Sequence, residues 1–193
     1  MKRKSDRNWK NIFVCVTIII MISLFFTNTY AQTNMSVGAG IDIMLPVGSF
    51  ADHWVTGFGG TGEFDYIVTP RTSITGKIGY LTWSGKNLPD GVSATYSGVP
   101  LLVGAKYYLQ FIPKDLPFRL YGHLELGVMF GSVSTSGSTQ PITTEGGTDF
   151  TLAPSGGMEI PVSTDGAIDL SIRYFSISSK ASIGLRGGFK MNF

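Results

Sequence analysis

Two histidines are the residues of this sequence whose types and spacing could support acid–base chemistry. His123 is separated from Glu125 by one residue, so both side chains would project from the same side of a strand. A histidine beside a carboxylate is a common arrangement in general-base catalysis. His53 lies next to Asp52 and close to Ser49, which brings a base, an acid and a nucleophile into one short segment. Whether either group could act depends on the elements that carry it.

Metal and cofactor chemistry has little support in the sequence. Two histidines and one cysteine are too few for the four-ligand sets that are typical of structural zinc. The glycine-rich stretch "GFGGTG" (57–62) opens no predicted helix, so we do not interpret it as a phosphate-binding loop. We predict no catalytic residue, no cofactor and no metal. His123 is then an interior histidine with ordinary hydrogen bonds, and His53 is a loop residue.

The N-terminal segment has the three-part pattern of a secretory signal peptide. A basic stretch precedes an uncharged run over Ile12–Phe26, and small residues follow at Thr29 and Ala31. The uncharged run is shorter than the about 17–25 residues that a membrane-spanning helix needs. We therefore predict a signal peptide over 1–31 and a mature domain over 32–193, rather than an uncleaved anchor helix.

Loss of this segment changes the charge of the chain. Of its 15 Lys and Arg residues, five precede Ala31, as does one of its 13 Asp and Glu residues. The mature domain therefore has ten basic and twelve acidic residues, a net charge of −2, which gives no indication of nucleic-acid binding. The only cysteine, Cys15, also leaves with the signal, so no disulfide is expected.

From Asn34 onward, polar and apolar residues alternate with the period of two that is typical of strands. Short connections with Pro or Gly alternate with longer polar ones, as in an up-and-down meander. The longest connection is 133–148, and its Ser/Thr/Gly stretch 134–148 is predicted to be a mobile surface loop, either solvated without a partner or in contact with host surfaces or other cells. The eight predicted strands are 35–45, 56–68, 73–84, 97–110, 118–132, 149–162, 167–178 and 181–193.

The strand charges fall almost entirely on one face, and the other face is apolar. The charged face carries six acids, five bases and one histidine, namely Asp42, Glu63, Asp65, Lys77, Lys106, His123, Glu125, Glu159, Asp169, Arg173, Arg186 and Lys190. Enclosed charges must pair, because an unpaired buried ion costs several kcal/mol, whereas scattered surface charges need not balance. This near-neutral set predicts a salt-bridged polar plug inside a small barrel whose apolar face meets lipid.

The predicted fold class is therefore all-β, a closed antiparallel eight-stranded up-and-down transmembrane β-barrel. Strands of ten to eleven residues, tilted as in known barrels, span roughly 25 Å, which is the height of the apolar band in this class. A soluble β-domain with its apolar face inside is the alternative, because periodicity alone does not say which face is enclosed.

The chain ends on "RGGFKMNF", in which a polar residue, a glycine, an apolar residue and an aromatic residue stand at Arg186, Gly188, Met191 and Phe193. This spacing resembles the signal that the assembly machinery recognises in the last strand of outer-membrane barrels. With "LPVGSF", "GKIGYLTW" and "VPLLVGAKYYL", it makes the region 34–193 similar to the small eight-stranded outer-membrane barrel family, the OmpA/OmpX-like transmembrane domains.

The resemblance implies a location in a Gram-negative-type outer membrane. It also implies contact with outer-membrane lipids and lipopolysaccharide, and insertion by the barrel-assembly machinery through the C-terminal strand. The expected function is a non-enzymatic structural or surface-interaction role with a charge-paired closed interior. The fold alone does not fix this role, because one barrel fold hosts several functions. A narrow pore or transporter for small or apolar molecules and a lipid A-modifying enzyme are the alternatives. The family's lipid A deacylases place Ser, His and an acid at the outer rim, whereas His123 is predicted near the periplasmic end and facing inward.

Overall fold

The computed structural model describes residues 34–86, 88–89, 91–109, 117–137, 140–178 and 180–193, with the backbone alone at 140–144. The predicted signal peptide and its cleavage site lie outside these residues. No helix in the described part of the chain is long and apolar enough to cross a membrane. A short helix, α1 (Ser49–His53), follows the first of eight strands: β1 (Met35–Val47), β2 (Gly57–Thr69), β3 (Thr72–Ser84), β4 (Val92–Tyr108), β5 (Arg119–Gly137), β6 (Gln140–Pro161), β7 (Gly166–Ile177) and β8 (Lys180–Asn192).

The strands form one closed antiparallel barrel. Each strand pairs with its neighbours in sequence, and β8 returns to pair with β1, from Ser36 opposite Asn192 to Val47 opposite Ala181. Closure satisfies the backbone groups of the first and last strands, which would otherwise form open edges. The predicted fold class, a closed eight-stranded up-and-down barrel, is confirmed.

Alternation along each strand turns charged residues inward and apolar residues outward. On β2, Glu63 is 7% exposed, whereas the adjacent Phe64 is 44% exposed. On β4, Lys106 is fully buried, whereas the adjacent Tyr107 is half exposed. A contiguous apolar exterior of this extent is rare on soluble monomers and marks a surface made for a non-aqueous environment.

The two ends of the barrel differ. At the end that carries Asn34 and Phe193, which we call the turn end, β2–β3 and β6–β7 are joined by tight connections. At the opposite end, which we call the loop end, β4, β5 and β6 continue beyond their neighbours, and Val133 pairs with Glu145. The prediction of a loop over 133–148 is wrong, because 133–137 and 140–148 pair across a hairpin, and Thr residues, which favour strands, lie on both arms.

The loop end is filled by apolar side chains, which the sequence analysis did not anticipate. Helix α1 folds over the mouth and inserts Phe50, whose ring lies 5.7 Å from that of Trp83 and 5.9 Å from that of Tyr96. Buried aliphatic and aromatic residues continue this packing into the barrel. We call the set the apolar plug: Met44, Phe50, Leu81, Trp83, Tyr96, Leu102, Met129, Ala153, Phe175 and Ile177.

Candidate functional site: the barrel interior

The structure places all twelve residues of the predicted interior set inside the barrel, each at most 7% exposed. We call these twelve residues the charged layer. They occupy the turn-end half of the interior, because on β5 Glu125 lies nearer the turn end than Met129, and on β7 Arg173 lies nearer the turn end than Phe175. The interior is therefore not a single polar plug, as the sequence analysis expected, but a charged half and an apolar half.

Lys106 is the centre of the charged layer. Its Nζ lies 2.7 Å from a carboxylate oxygen of Glu63, 3.3 Å from one of Asp65 and 3.5 Å from one of Glu159. The side chain is fully buried. Three carboxylates around one ammonium leave excess negative charge, so further cations are needed close by.

Two other lysines supply that charge. Lys77 Nζ bridges Glu63 at 2.9 Å and Glu125 at 2.8 Å. Lys190 Nζ contacts Asp65 and lies 2.7 Å from Glu159. Each carboxylate in this part of the layer therefore touches at least one ammonium group, which is the condition for keeping it ionised away from water.

A chain of hydrogen bonds extends the layer towards the apolar plug. Arg186 donates to Asp169 at 2.8 Å and to Thr61 Oγ1 at 3.0 Å. Thr61 in turn donates to Asp42 at 2.7 Å, and Asp42 lies 3.1 Å from Arg173 Nη2. The threonine hydroxyl thus links two ion pairs that do not touch each other. Arg186 Nη1 also lies 4.0 Å from Glu63, which joins this chain to the lysine cluster.

Sequence reasoning missed one cation and several hydrogen-bond donors of this network. Arg119, at the start of β5, lies 2.8 Å from Glu159 with its side chain 53% exposed. It provides a sixth basic residue for the six acids. Tyr108 donates to Glu159 at 2.8 Å and Tyr121 donates to Asp169 at 2.7 Å. Residues 119 and 121 lie four and two positions before His123 on β5, so the strand alternation places them on the same inner face. This was the signal in the sequence that could have found them.

Comparisons with known proteins bear on the fold. No protein-family model and no curated protein matches the chain. Among solved structures, Neisserial surface protein A aligns with a TM-score of 0.59 at 14% identity, covering 83% of this chain and 97% of its own. Ail of Yersinia pestis aligns with a TM-score of 0.55 at 15% identity (82% and 96%), and OprG of Pseudomonas aeruginosa with 0.58 at 13% (84% and 97%).

The chain has the fold of the small eight-stranded outer-membrane barrels. In an outer-membrane-type barrel the outer wall is apolar and the inner wall polar, which is the distribution that the charged layer and the exterior show here. The resemblance stated from the sequence is thereby confirmed at the level of fold.

The candidate general base, His123, lies deep in the barrel interior. His123 Nε2 is 2.8 Å from Thr75 Oγ1, and Nδ1 is 3.9 Å from Glu125, which is too far for a hydrogen bond. Ligand atoms of Glu63, His123 and Glu125 lie within 4.8 Å of one another, as a metal site would require. The ammonium of Lys77 bridges the two carboxylates, however, so their negative charge is already compensated.

The second candidate group does not assemble. Ser49, Asp52 and His53 all belong to α1 and are exposed at the loop end of the barrel. His53 Nδ1 lies 3.2 Å from the backbone carbonyl oxygen of Ser49, not from its hydroxyl. The imidazole therefore contacts the backbone of its own helix, and no nucleophile is aligned with it.

The four residues of the C-terminal pattern have different positions in the barrel. Arg186 points inward and belongs to the charged layer, whereas Met191 and Phe193 are 48% and 60% exposed on the outside. A Cβ at Gly188 would lie 2.6 Å from the carbonyl oxygen of Ala39 on β1. Glycine at this position is therefore required for the close approach of β8 to β1 that closes the barrel.

Proposed function

We propose that this protein is an integral outer-membrane barrel with a closed interior and a non-enzymatic role in membrane structure or surface interaction. It reaches the membrane through a cleaved signal peptide over 1–31. The observation that carries the proposal is an apolar exterior around an interior that holds the charged layer in one half and the apolar plug in the other.

The outer wall supports a membrane location. Exposed aromatic residues lie near both ends of the strands, including Tyr66, Tyr107 and Phe193 at the turn end and Phe58 and Tyr80 at the loop end. Aromatic girdles at both membrane–water interfaces flank the apolar band of outer-membrane barrels. Outer-membrane lipids and lipopolysaccharide are therefore the proposed surroundings of this face, and no nucleic-acid partner is proposed.

The inner wall argues against the pore or transporter alternative. The space enclosed by Glu63, Asp65, Asp169, Arg186 and Lys190 has no room for a water-sized sphere. Beyond it, the apolar plug closes the loop-end half. An ion entering from either end would have to break buried ion pairs or displace packed side chains, and both are costly.

The C-terminal strand is the proposed contact with the barrel-assembly machinery. Met191 and Phe193 are exposed on the outer wall. Before the barrel closes, β8 has a free edge that can be recognised by strand addition. In the finished barrel that edge is paired with β1, so the contact is made during assembly only.

The extended β4–β5–β6 wall supports a surface-interaction role over a purely structural one. It projects past the other strands at the loop end, which faces outward in the proposed orientation. Ail, which shares the fold, is named an attachment invasion locus protein and was crystallised with a heparin analogue. A projecting wall of this kind is a suitable surface for such contacts.

Gel mobility of the chain folded in detergent tests the barrel. A faster-migrating band without boiling, which disappears on boiling, is expected from a closed and detergent-resistant barrel. A water-soluble monomer with no shift would refute the membrane assignment. Conductance in a planar bilayer then separates a closed barrel from a pore, since we expect no steady ion current. Unchanged lipid A mass after expression distinguishes the non-enzymatic role from lipid modification.

A further inference from the structure

A recess opens at the loop end, on the inner face of the extended wall. Its volume is about 200 Å³. Tyr96 on β4 and Gly131 on β5 line one side of it, and Glu145 and Asp149 on β6 line the other. Lys180, at the start of β8, completes the wall. The recess belongs to neither the charged layer nor the filled interior of the apolar plug, although Tyr96 is shared with the latter.

Two facing glycines create this space. Gly131 and Gly147 are opposite each other in the β5–β6 register. A Cβ at Gly131 would lie 2.7 Å from Tyr96 Oη, so a side chain there would displace the tyrosine. A Cβ at Gly147 would meet nothing within 4 Å. Any larger residue at 147 would therefore project into the recess and fill it.

One side of the recess already holds an ammonium group. Lys180 Nζ lies 3.2 Å from Asp149 Oδ2 and 4.6 Å from the centroid of the Tyr96 ring. A carboxylate together with an aromatic face is the combination by which proteins recognise organic cations. The chain's own lysine thus shows which kind of group this wall accommodates.

A second carboxylate has no such partner. Glu145 is exposed on the same wall and forms no ion pair with the described residues. With Asp149 and Lys180 it leaves the recess with a net charge of −1. Four residues of strand separate the backbones of Glu145 and Asp149 by about 13 Å, a distance that an elongated molecule spans better than a single metal ion does.

We propose that the recess binds a small aliphatic amine of the diamine type. One ammonium group pairs with Glu145, and the other joins Lys180 at Asp149, whose carboxylate can accept at both oxygens. The methylene chain lies in the space left by Gly147. That the recess faces the outside of the cell rests on the proposed function, and the binding itself requires only that the closed barrel forms.

Titration calorimetry of putrescine into the folded barrel in an uncharged detergent tests the proposal. Saturable binding is expected, weakening as salt is added, because the contacts are between partly exposed charges. Butanol, which has the same chain length without charge, should not bind. An absence of putrescine binding to a barrel that shows the unboiled gel shift would overturn this inference alone. An absence of the shift itself would overturn the proposed function and the recess together.

Variants locate the amine. Gly147→Val fills the recess and should abolish binding, whereas Gly76→Val, whose Cβ also meets nothing within 4 Å, should leave it intact. Glu145→Gln should weaken binding about tenfold, the effect of losing one charge-assisted hydrogen bond. Lys180→Met should strengthen it, because a competing ammonium is removed. Wild-type affinity in Gly147→Val or in Glu145→Gln would show that the amine binds elsewhere, and the proposal would fail.

Discussion

The two halves of the barrel interior are stabilised by opposite means. In the turn-end half, Lys106 is surrounded by three carboxylates within 3.5 Å. In the loop-end half, Phe175 and Met129 are fully buried among other apolar side chains. A buried ion is tolerated only with its partners, whereas a buried apolar group is stabilised by the area that it removes from water. The charged half should therefore lose stability when a charge is removed, and the apolar half should lose stability when side-chain volume is removed.

The largest effect is expected from Lys106→Met in the charged layer. The substitution roughly keeps the length of the side chain but leaves three carboxylates without their central cation, so the free energy of unfolding should fall by about 5 kcal/mol. Denaturant unfolding of the barrel in lipid vesicles measures this change. Lys86→Met is the control, because Lys86 is exposed and, among the residues that the structure describes, its Nζ reaches only the carbonyl oxygen of Ala51, at 3.5 Å. Equal midpoints for the two variants would refute the central role of Lys106.

A smaller effect is expected from Phe175→Ala in the apolar plug. Loss of a fully buried ring leaves a cavity and should lower the free energy of unfolding by about 3–4 kcal/mol. Phe175→Leu, which keeps most of the volume, should cost less than about 1.5 kcal/mol. The same unfolding measurement applies. If Leu were as costly as Ala, volume would not be what matters in this half.

Two glycines, one on the inner wall where the two halves meet and one on the outer wall, should respond in opposite ways to an added methyl group. Gly127 lies between Glu125 and Met129, and a Cβ there would collide with the carbonyl oxygen of Leu101. Gly127→Ala should cost about 1–3 kcal/mol, because the obstacle is backbone rather than a flexible side chain. Gly76→Ala on the outer wall meets no atom within 4 Å and should stabilise the strand by about 0.5–1 kcal/mol. Opposite signs of the two unfolding shifts are the expected result.

The smallest effect is expected at the rim of the charged layer. Arg119 is half exposed, and Glu159 keeps Lys190 and Tyr108 when Arg119 is removed. Arg119→Ala should therefore change the free energy of unfolding by less than about 1 kcal/mol, as is usual for exposed ion pairs. A loss of stability as large as that of Lys106→Met would mean that Arg119 acts as a buried member of the charged layer rather than as an exposed residue at its rim.

Much of the charged layer could be predicted from the sequence. Period-two alternation assigns Asp42, Lys106 and Glu125 to one face of their strands, and near-neutrality suggests that this face is enclosed. The same alternation also puts Met44, two residues after Asp42, on the inner face. The apolar plug is therefore readable as a change of residue type along the inner faces, although the charges alone do not predict it.

Other features were not readable from the pattern. Ser and Thr residues at 134–148 suit both a loop and a strand, and only pairing across the hairpin decides between them. The packing of Phe50 from α1 depends on the rings of Trp83 and Tyr96, which lie 33 and 46 residues further along the chain. The recess likewise is lined by residues of four strands, β4, β5, β6 and β8, which come together only in the folded barrel.

The sequence by itself determined the number and alternation of the strands, the separation of charged from apolar faces and the resemblance to outer-membrane barrels. These are local properties, because a period of two is set by strand geometry alone. The tertiary structure decided which ions pair, that Arg119 joins them, and that half of the interior is apolar. Partners in a closed barrel come from strands up to the full chain length apart, as with Asp42 opposite Arg186, and their contacts depend on closure and register.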